Sequence, residues 1–233
     1  MLLGKTASIL AIAVLPVFLV TTGLRLVTNS PWLYQHGFSA YEAPSRTGLS
    51  MEQLLSAAEQ TRRYFNSEEE PLRVTIERGG EAVQLYNERE VAHMADVKGL
   101  FRLARRVEEL SSGYLLGFMG LGLWLLKRRF LVMLLDTLMQ GGLVTVGLVL
   151  LVGAGALLDF DRLFLQFHLV TFTNDLWQLN PHTDRLIQMY PAEFFRDATL
   201  AIGALTLLAG GVLAGLAGAA RPPASIPKAP DPA

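Results

Sequence analysis

Four long apolar runs, at residues 8–27, 110–126, 130–158 and 199–219, constrain this chain more than any other feature of it. A helix needs about 20 apolar residues to cross a hydrocarbon core, and only a closed helix or barrel satisfies its backbone there. Each run is long enough or nearly so, and the third is long enough to tilt, which puts Asp136 and Gln140 near the headgroups. The 233 residues are 51% hydrophobic and 18% charged, and that apolar excess is concentrated in these runs. A signal peptide is the rival reading of the first run. It is disfavoured because the stretch is long for such a segment and no small-x-small cleavage site follows. The expected fold is therefore a membrane α-helical, four-helix transmembrane bundle.

Charge placement sets the expected orientation. Lys127, Arg128 and Arg129 form a tight cationic turn between the second and third runs, the mark of a cytoplasmic loop, and Lys5, Arg221 and Lys228 agree with it. Both termini are then inside and residues 28–109 and 159–198 outside, on the extracytoplasmic face of a bacterial cytoplasmic membrane. The units expected are transmembrane helix 1 at 1–27, an extracytoplasmic domain at 28–109, helices 2 and 3 at 110–158, an outer loop at 159–198, helix 4 at 199–219 and a disordered proline-rich tail at 220–233. Gly211, Ala214, Gly215 and Gly218 present small residues suited to close helix packing in lipid. A net charge of -1 implies no nucleic-acid partner, and zero cysteines exclude disulfides, thiol chemistry and thiolate metal sites.

The larger outer segment reads as a small α+β domain. Ser50 with Gln53 forms a capping box for a helix reaching about Phe65. Val74, Ile76, Val83 and Leu85 alternate on either side of Arg78-Gly79-Gly80, a hairpin loop. Residues 31–41 are expected to add another strand. Asn87 and Glu90 then open an amphipathic helix that runs into the second span.

Plotted at about 100° per residue, that helix groups Met94, Val97, Leu100, Phe101, Ala104 and Val107 on one side, with Lys98, Arg102, Arg105 and Arg106 on the other. The basic side is expected at the headgroup boundary. His93 falls within the apolar face, with Glu90 and Asp96 one turn to either side and able to orient the imidazole. The plain alternative is a buried histidine bonded to a neighbouring carboxylate. A metal reading of Glu90-x-x-His93 lacks the second such motif that carboxylate-bridged bundles use.

The second outer segment carries His168, Asn174, Asp175 and Trp177, followed by Asp184. Its aromatic residues suit an interfacial belt, but the grouped polar side chains among them cost free energy unless they are paired or functional. His36 and His182 belong to neither group and read as surface or structural.

The two blocks together, His93-Met94-x-Asp96-Val97-Lys98 and the series Phe167-His168, Asn174-Asp175-x-Trp177, Pro181-x-x-Asp184 and Pro191-x-x-Phe194-Phe195, resemble the lipoprotein intramolecular transacylase (Lit) family of bacterial integral membrane proteins. Asn180 before the proline and Tyr190 in place of phenylalanine depart from the family pattern. The resemblance implies an acyltransferase whose partners are a diacylated lipoprotein substrate and membrane lipid. It would move the sn-2 acyl chain of a diacylglyceryl-cysteine to the free α-amino group of the same molecule, giving the lyso-form without metal, acyl-CoA or nucleotide. A phosphate-binding loop is absent from the sequence.

That chemistry implies histidine catalysis by His93 and His168, the first as base and the second as acid or oxyanion stabiliser, or the reverse. Glu90, Asp96, Asn174 and Asp175 are the orienting or oxyanion candidates. Lys98, Trp177 and Asp184 are the substrate-positioning ones. The competing readings are a non-catalytic membrane accessory or sensor protein, and a metal-dependent membrane hydrolase built on Glu90, His93, His168 and Asp184.

Overall fold

The computed structural model describes residues 2–221, and the tail expected to be disordered lies, from residue 222 on, outside the described residues. Four helices are long and apolar enough to cross a bilayer: α1 (Leu2–Thr28), the 39-residue α5 (Glu88–Leu126), α6 (Arg128–Leu158) and α9 (Ala192–Ala219). Between α1 and α5 the chain forms α2 (Pro31–Ala40), α3 (Ala43–Thr47), α4 (Met51–Phe65) and the antiparallel pair β1 (Thr75–Arg78) and β2 (Glu81–Gln84), in which Ile76 faces Val83. Between α6 and α9 lie α7 (Phe160–Thr171) and α8 (Arg185–Met189).

Local chemistry accounts for most of these boundaries. Ser50 caps α4 and Asn87 caps α5, each through a reciprocal capping box, with Gln53 and Glu90 returning the hydrogen bond. The hairpin turns on Gly79 and Gly80, whose φ values of 65° and 87° suit glycine. Residues 31–40 are helical rather than a strand. Pro31 at the first turn has its φ already set for a helix, and Leu33, Gly37 and Phe38 fall on one buried face. Gly37 is required there because a Cβ would lie 2.3 Å from the Phe194 ring.

α5 is both a bilayer-length helix and a domain helix. At about 1.5 Å per residue its 39 residues run close to 60 Å, twice a hydrocarbon core, so its first half stands beyond the bundle. Two of the four cations on the basic side of that half, Lys98 and Arg102, are not free for headgroups as expected, whereas Arg105 and Arg106 are exposed. Lys98 is 1% exposed, its Nζ donating to the Glu69 carbonyl at 2.5 Å and lying 3.9 Å above the Tyr64 ring, and Arg102 pairs with Glu68 and Glu70. The acidic stretch after α4 offers these cations carboxylates, which compete with lipid phosphate for the same charges. The core of this unit includes Leu33, Phe38, Leu54 and Val74, and it extends to Met189 and Phe194, so α8 and the start of α9 close it from below.

In the bundle α6 packs against α9 through glycine. A Cβ on Gly142 would lie 2.5 Å from the Gly210 carbonyl oxygen. In the second half of α9 the buried small residues include Gly210, Ala214 and Ala217, whereas Gly211 and Gly215 face open space. Of the set expected from the sequence, Ala214 is part of the packing face and Gly218 meets Met139 of α6, whereas Gly211 and Gly215 lie off it. At the α5–α6 turn Lys127 takes a positive φ of 49°, and Gly122 leaves room for the Phe130 ring.

Candidate active site

Both histidine segments meet beyond one end of the bundle. His93 lies in the second turn of α5, 6% exposed, with its Nδ1 buried and without a hydrogen-bond partner. Burial, reinforced by the nearby His168 and opposed by Asp96, pushes its pKa down to about 4. The imidazole is therefore neutral at pH 7. His168 occupies the last turn of α7, half-buried, and its ring centroid is 6.4 Å from that of His93. No hydrogen bond joins the two rings.

The tautomer of His168 follows from one contact. Its Nδ1 is 2.7 Å from the carbonyl oxygen of Phe164, one turn earlier in α7. A carbonyl only accepts, so Nδ1 carries a proton, and in the neutral ring Nε2 is the nitrogen with the lone pair. Phe164, Phe167, Phe172 and Trp177 pack around the ring at centroid distances of 4.4, 5.4, 5.6 and 5.0 Å. Phe172 also meets His93 edge-on at 5.2 Å and so bridges the two imidazoles.

The loop after α7 is tied to the start of α5. Asn174 donates to Asp96 at 2.9 Å, its own Oδ1 accepts from the Leu176 amide, and its backbone carbonyl accepts from the Trp177 indole. Arg89 donates to the backbone carbonyl of Asp175 at 2.5 Å. Glu90 directs one carboxylate oxygen to the Asn87 amide and the other to the Leu186 amide at 2.6 Å. Desolvation raises its pKa, against the lowering by those two amides. Burial likewise pushes the Asp184 carboxyl up, but the Asn180 amide, the Thr183 hydroxyl and the Asn87 side chain outweigh it and hold the group below the usual carboxylate range.

The nine expected site residues thus fall into three places. His93, His168, Asp96, Asn174 and Trp177 stand together, with the exposed Asp175 next to Asn174. Glu90 and Asp184 clamp the α8 segment to the α5 N-terminus. Lys98, five residues from His93 and so about 140° around α5, holds the stretch after α4. Among the described residues no group of three or more histidines and carboxylates gathers as a metal site would require. Sequence reasoning missed Phe172, Arg89 and the Phe164 carbonyl as parts of the site. The last had a signal, since it stands four residues before His168 in a helix. His36 lies elsewhere, 3.4 Å from Asp197.

Four bilayer-length helices, with two imidazoles among aromatic rings beyond one end, mark an integral-membrane protein that gathers its polar groups in one place. Residues 9–195 match the family model described as lipoprotein intramolecular transacylase Lit, and the chain belongs to that family. It is accordingly an acyltransferase, a lipoprotein intramolecular transacylase, and neither the sensor nor the metal-hydrolase reading is favoured. An in meso structure of the membrane-integral Lit from Bacillus cereus is similar to it, with a TM-score of 0.76 at 19% identity over 92% of this chain and 94% of that one. A form of that protein with one histidine replaced by alanine gives a TM-score of 0.74 at 18% identity, covering 93% of each chain. An uncharacterized protein of Aquifex aeolicus (strain VF5) is 26% identical over 210 residues, 88% of this chain and 90% of that protein.

Proposed function

We propose that the enzyme moves the sn-2 acyl chain of a diacylglyceryl-cysteine lipoprotein to the α-amino group of the same molecule, with His93 and His168 as its catalytic pair. The observation that carries this reading is the 6.4 Å juxtaposition of the two rings within apolar walls. A diacylated substrate must bring an ester and an amine together in a bent geometry, and the aromatic rings around the two imidazoles suit the lipid part of it.

The protons have a consistent route. The substrate ammonium gives one to the free Nε2 of His168, and the amine nitrogen attacks the sn-2 ester carbon. The carbonyl oxygen becomes an oxyanion, which the single N–H of neutral His93 stabilises. The carbon–oxygen bond to the glycerol then breaks, the glyceryl oxygen takes the proton from His168, and Nε2, free again, accepts the second proton from the nitrogen of the new amide and passes it to solvent. The contact with the Phe164 carbonyl favours His168 as base over the opposite allocation. Asp96 and Asn174 hold the loop against α5, the exposed Asp175 is assigned to the incoming amine, and Trp177 and Phe172 to the acyl chain. Lys98, Glu90 and Asp184 serve through the shape of the segments they secure.

This reading puts the Lys127–Arg129 turn in the cytoplasm, with the α+β unit at 28–109 and the loop at 159–198 on the extracytoplasmic face, where lipidated lipoproteins reside. Expression in a bacterium lacking N-acylating enzymes tests the activity. Mass spectrometry of lipoprotein N-termini should then show N-acyl, S-monoacylglyceryl peptides, and a loss of at least 100-fold for His168→Ala or His93→Ala. Diacylglyceryl peptides left unchanged by well-expressed wild-type protein would refute the proposal.

A further inference from the structure

Away from the histidines, α1 carries two adjoining hollows. The lower, about 260 Å³, is lined by Pro16, Val17, Val20 and Thr21 of α1 with Leu148 and Val149 of α6 among its walls. The upper is lined by Thr21, Arg25 and Asn29 of α1 with Phe101, Arg105 and Glu108 of α5 among its walls. Thr21 borders both, so they meet there, and its hydroxyl is turned back on the Val17 and Phe18 carbonyls. The combined groove is apolar below and charged above.

Its depth matches a lipid leaflet. Arg25 lies 20 residues beyond Lys5 in α1, about 30 Å of helix and so one hydrocarbon thickness. Counting back from Lys127 along α5, Arg105 stands 22 residues away, at about the same level. The charged hollow therefore sits at the headgroup boundary. Pro16, five residues below Thr21, lies about 8 Å deeper, among acyl chains.

The charges of the upper hollow do not cancel. Glu108, 8% exposed, accepts from the Arg25 Nε and the Thr22 hydroxyl, each at 3.0 Å. Because Nε makes that contact, the two terminal nitrogens of Arg25 extend past it, and the side chain is 57% exposed. One Nη of Arg105 donates to the Phe65 carbonyl and to Asn66, which leaves its other nitrogens open. Two guanidiniums thus face one carboxylate at the depth where phosphates lie. Arginine forks suit a phosphodiester, and each cation near an anionic leaflet contributes about 1 kcal/mol.

We propose that this groove is a binding site for an anionic phospholipid, its phosphate held by Arg25 and Arg105 and one acyl chain lying against Val17, Val20 and Leu148. A diacylglyceryl lipoprotein has no phosphate, so this lipid is not the substrate. The site begins on α5 at Phe101, eight residues and about 12 Å along the axis from His93. A lipid bound there braces α1 against α5, the helix that carries the catalytic ring.

Native mass spectrometry of the detergent-purified protein, with phosphatidylglycerol or phosphatidylcholine of identical chains added, tests the assignment. Phosphatidylglycerol should be retained at least fivefold better. Arg105→Gln, on an exposed side chain, and the charge-balanced pair Arg25→Gln with Glu108→Gln should each bring it near the phosphatidylcholine level. Leu148→Trp should lower retention of both lipids, while thermal unfolding verifies that each variant is folded. Equal retention of the two lipids, unchanged retention in the folded arginine variants, or displacement by glycerol phosphate at concentrations equal to the lipid would each overturn the proposal.

Discussion

His93 combines a functional position with an unfavourable environment for charge. Its folded pKa is about 4, against an ordinary value near 6.5. Between those values the unfolded chain binds a proton that the folded one refuses, so the protein should be most stable above pH 6.5 and lose stability as the pH falls toward 4. The full loss is about 3 kcal/mol for this buried ring. Thermal unfolding in detergent from pH 7 to pH 4 should show that fall in the wild type and a shallower one in His93→Gln, which has nothing to titrate there. Equal slopes would mean that the acid sensitivity arises at other groups. The residue scale is also where the sequence was most legible. His93, His168, Asn174 and Trp177 were all expected around one site. The Phe172 ring between the imidazoles and the Arg25–Glu108 pair were not, because each joins residues about 80 positions apart and neither falls within one helix period.

The elements were legible where local chemistry decides them. Both capping boxes, the glycine hairpin turn and the unbroken run of α5 from Asn87 into a bilayer-length helix follow from residues within a few positions of each other. The segment 31–40 misled because its helix is supported by Phe38 and Gly37 meeting the start of α9, a contact more than 150 residues distant. α9 begins at Ala192, seven residues before the apolar run, because Glu193, Arg196 and Asp197 break the hydropathy without breaking the helix. Glu90 links two elements, as it completes the α5 cap and accepts from the Leu186 amide at the start of α8. Glu90→Ala leaves both amides without that partner, the second of them buried, at a cost of about 2–4 kcal/mol. It should lower the unfolding midpoint and quicken proteolysis of the loop before α8. Glu90→Gln, which keeps an acceptor, should lie between it and the wild type. A Glu90→Ala protein with an unchanged midpoint would mean that the clamp contributes nothing to holding the loop.

At the scale of the whole molecule, the site depends on how the bundle is spaced. His168 follows α6 by way of α7, His93 stands on α5, and α9 begins beneath the loop that covers them. The spacing of α6 from α9 is set by backbone contact at Gly142 and Gly210, since lipid offers no hydrophobic drive and close van der Waals packing takes its place. Gly142→Val puts a branched side chain where even a Cβ would come within 2.5 Å of a carbonyl oxygen, so the helices must part. Overpacking of this kind costs about 1–3 kcal/mol in ordinary cores, and the figure here should be at the upper end because backbone on the facing helix has no rotamer to yield. The same substitution at Gly211, which meets nothing within 4 Å, should be tolerated. Unfolding midpoints in detergent and acyl transfer measured side by side distinguish the two positions. Gly142→Val should lower both, the second through a displaced His168, whereas Gly211→Val should leave both near wild type. If the two variants behave alike, α6 and α9 are not held by the Gly142–Gly210 contact, and the sequence-based stripe on Gly211 and Gly215 regains its claim as the packing face.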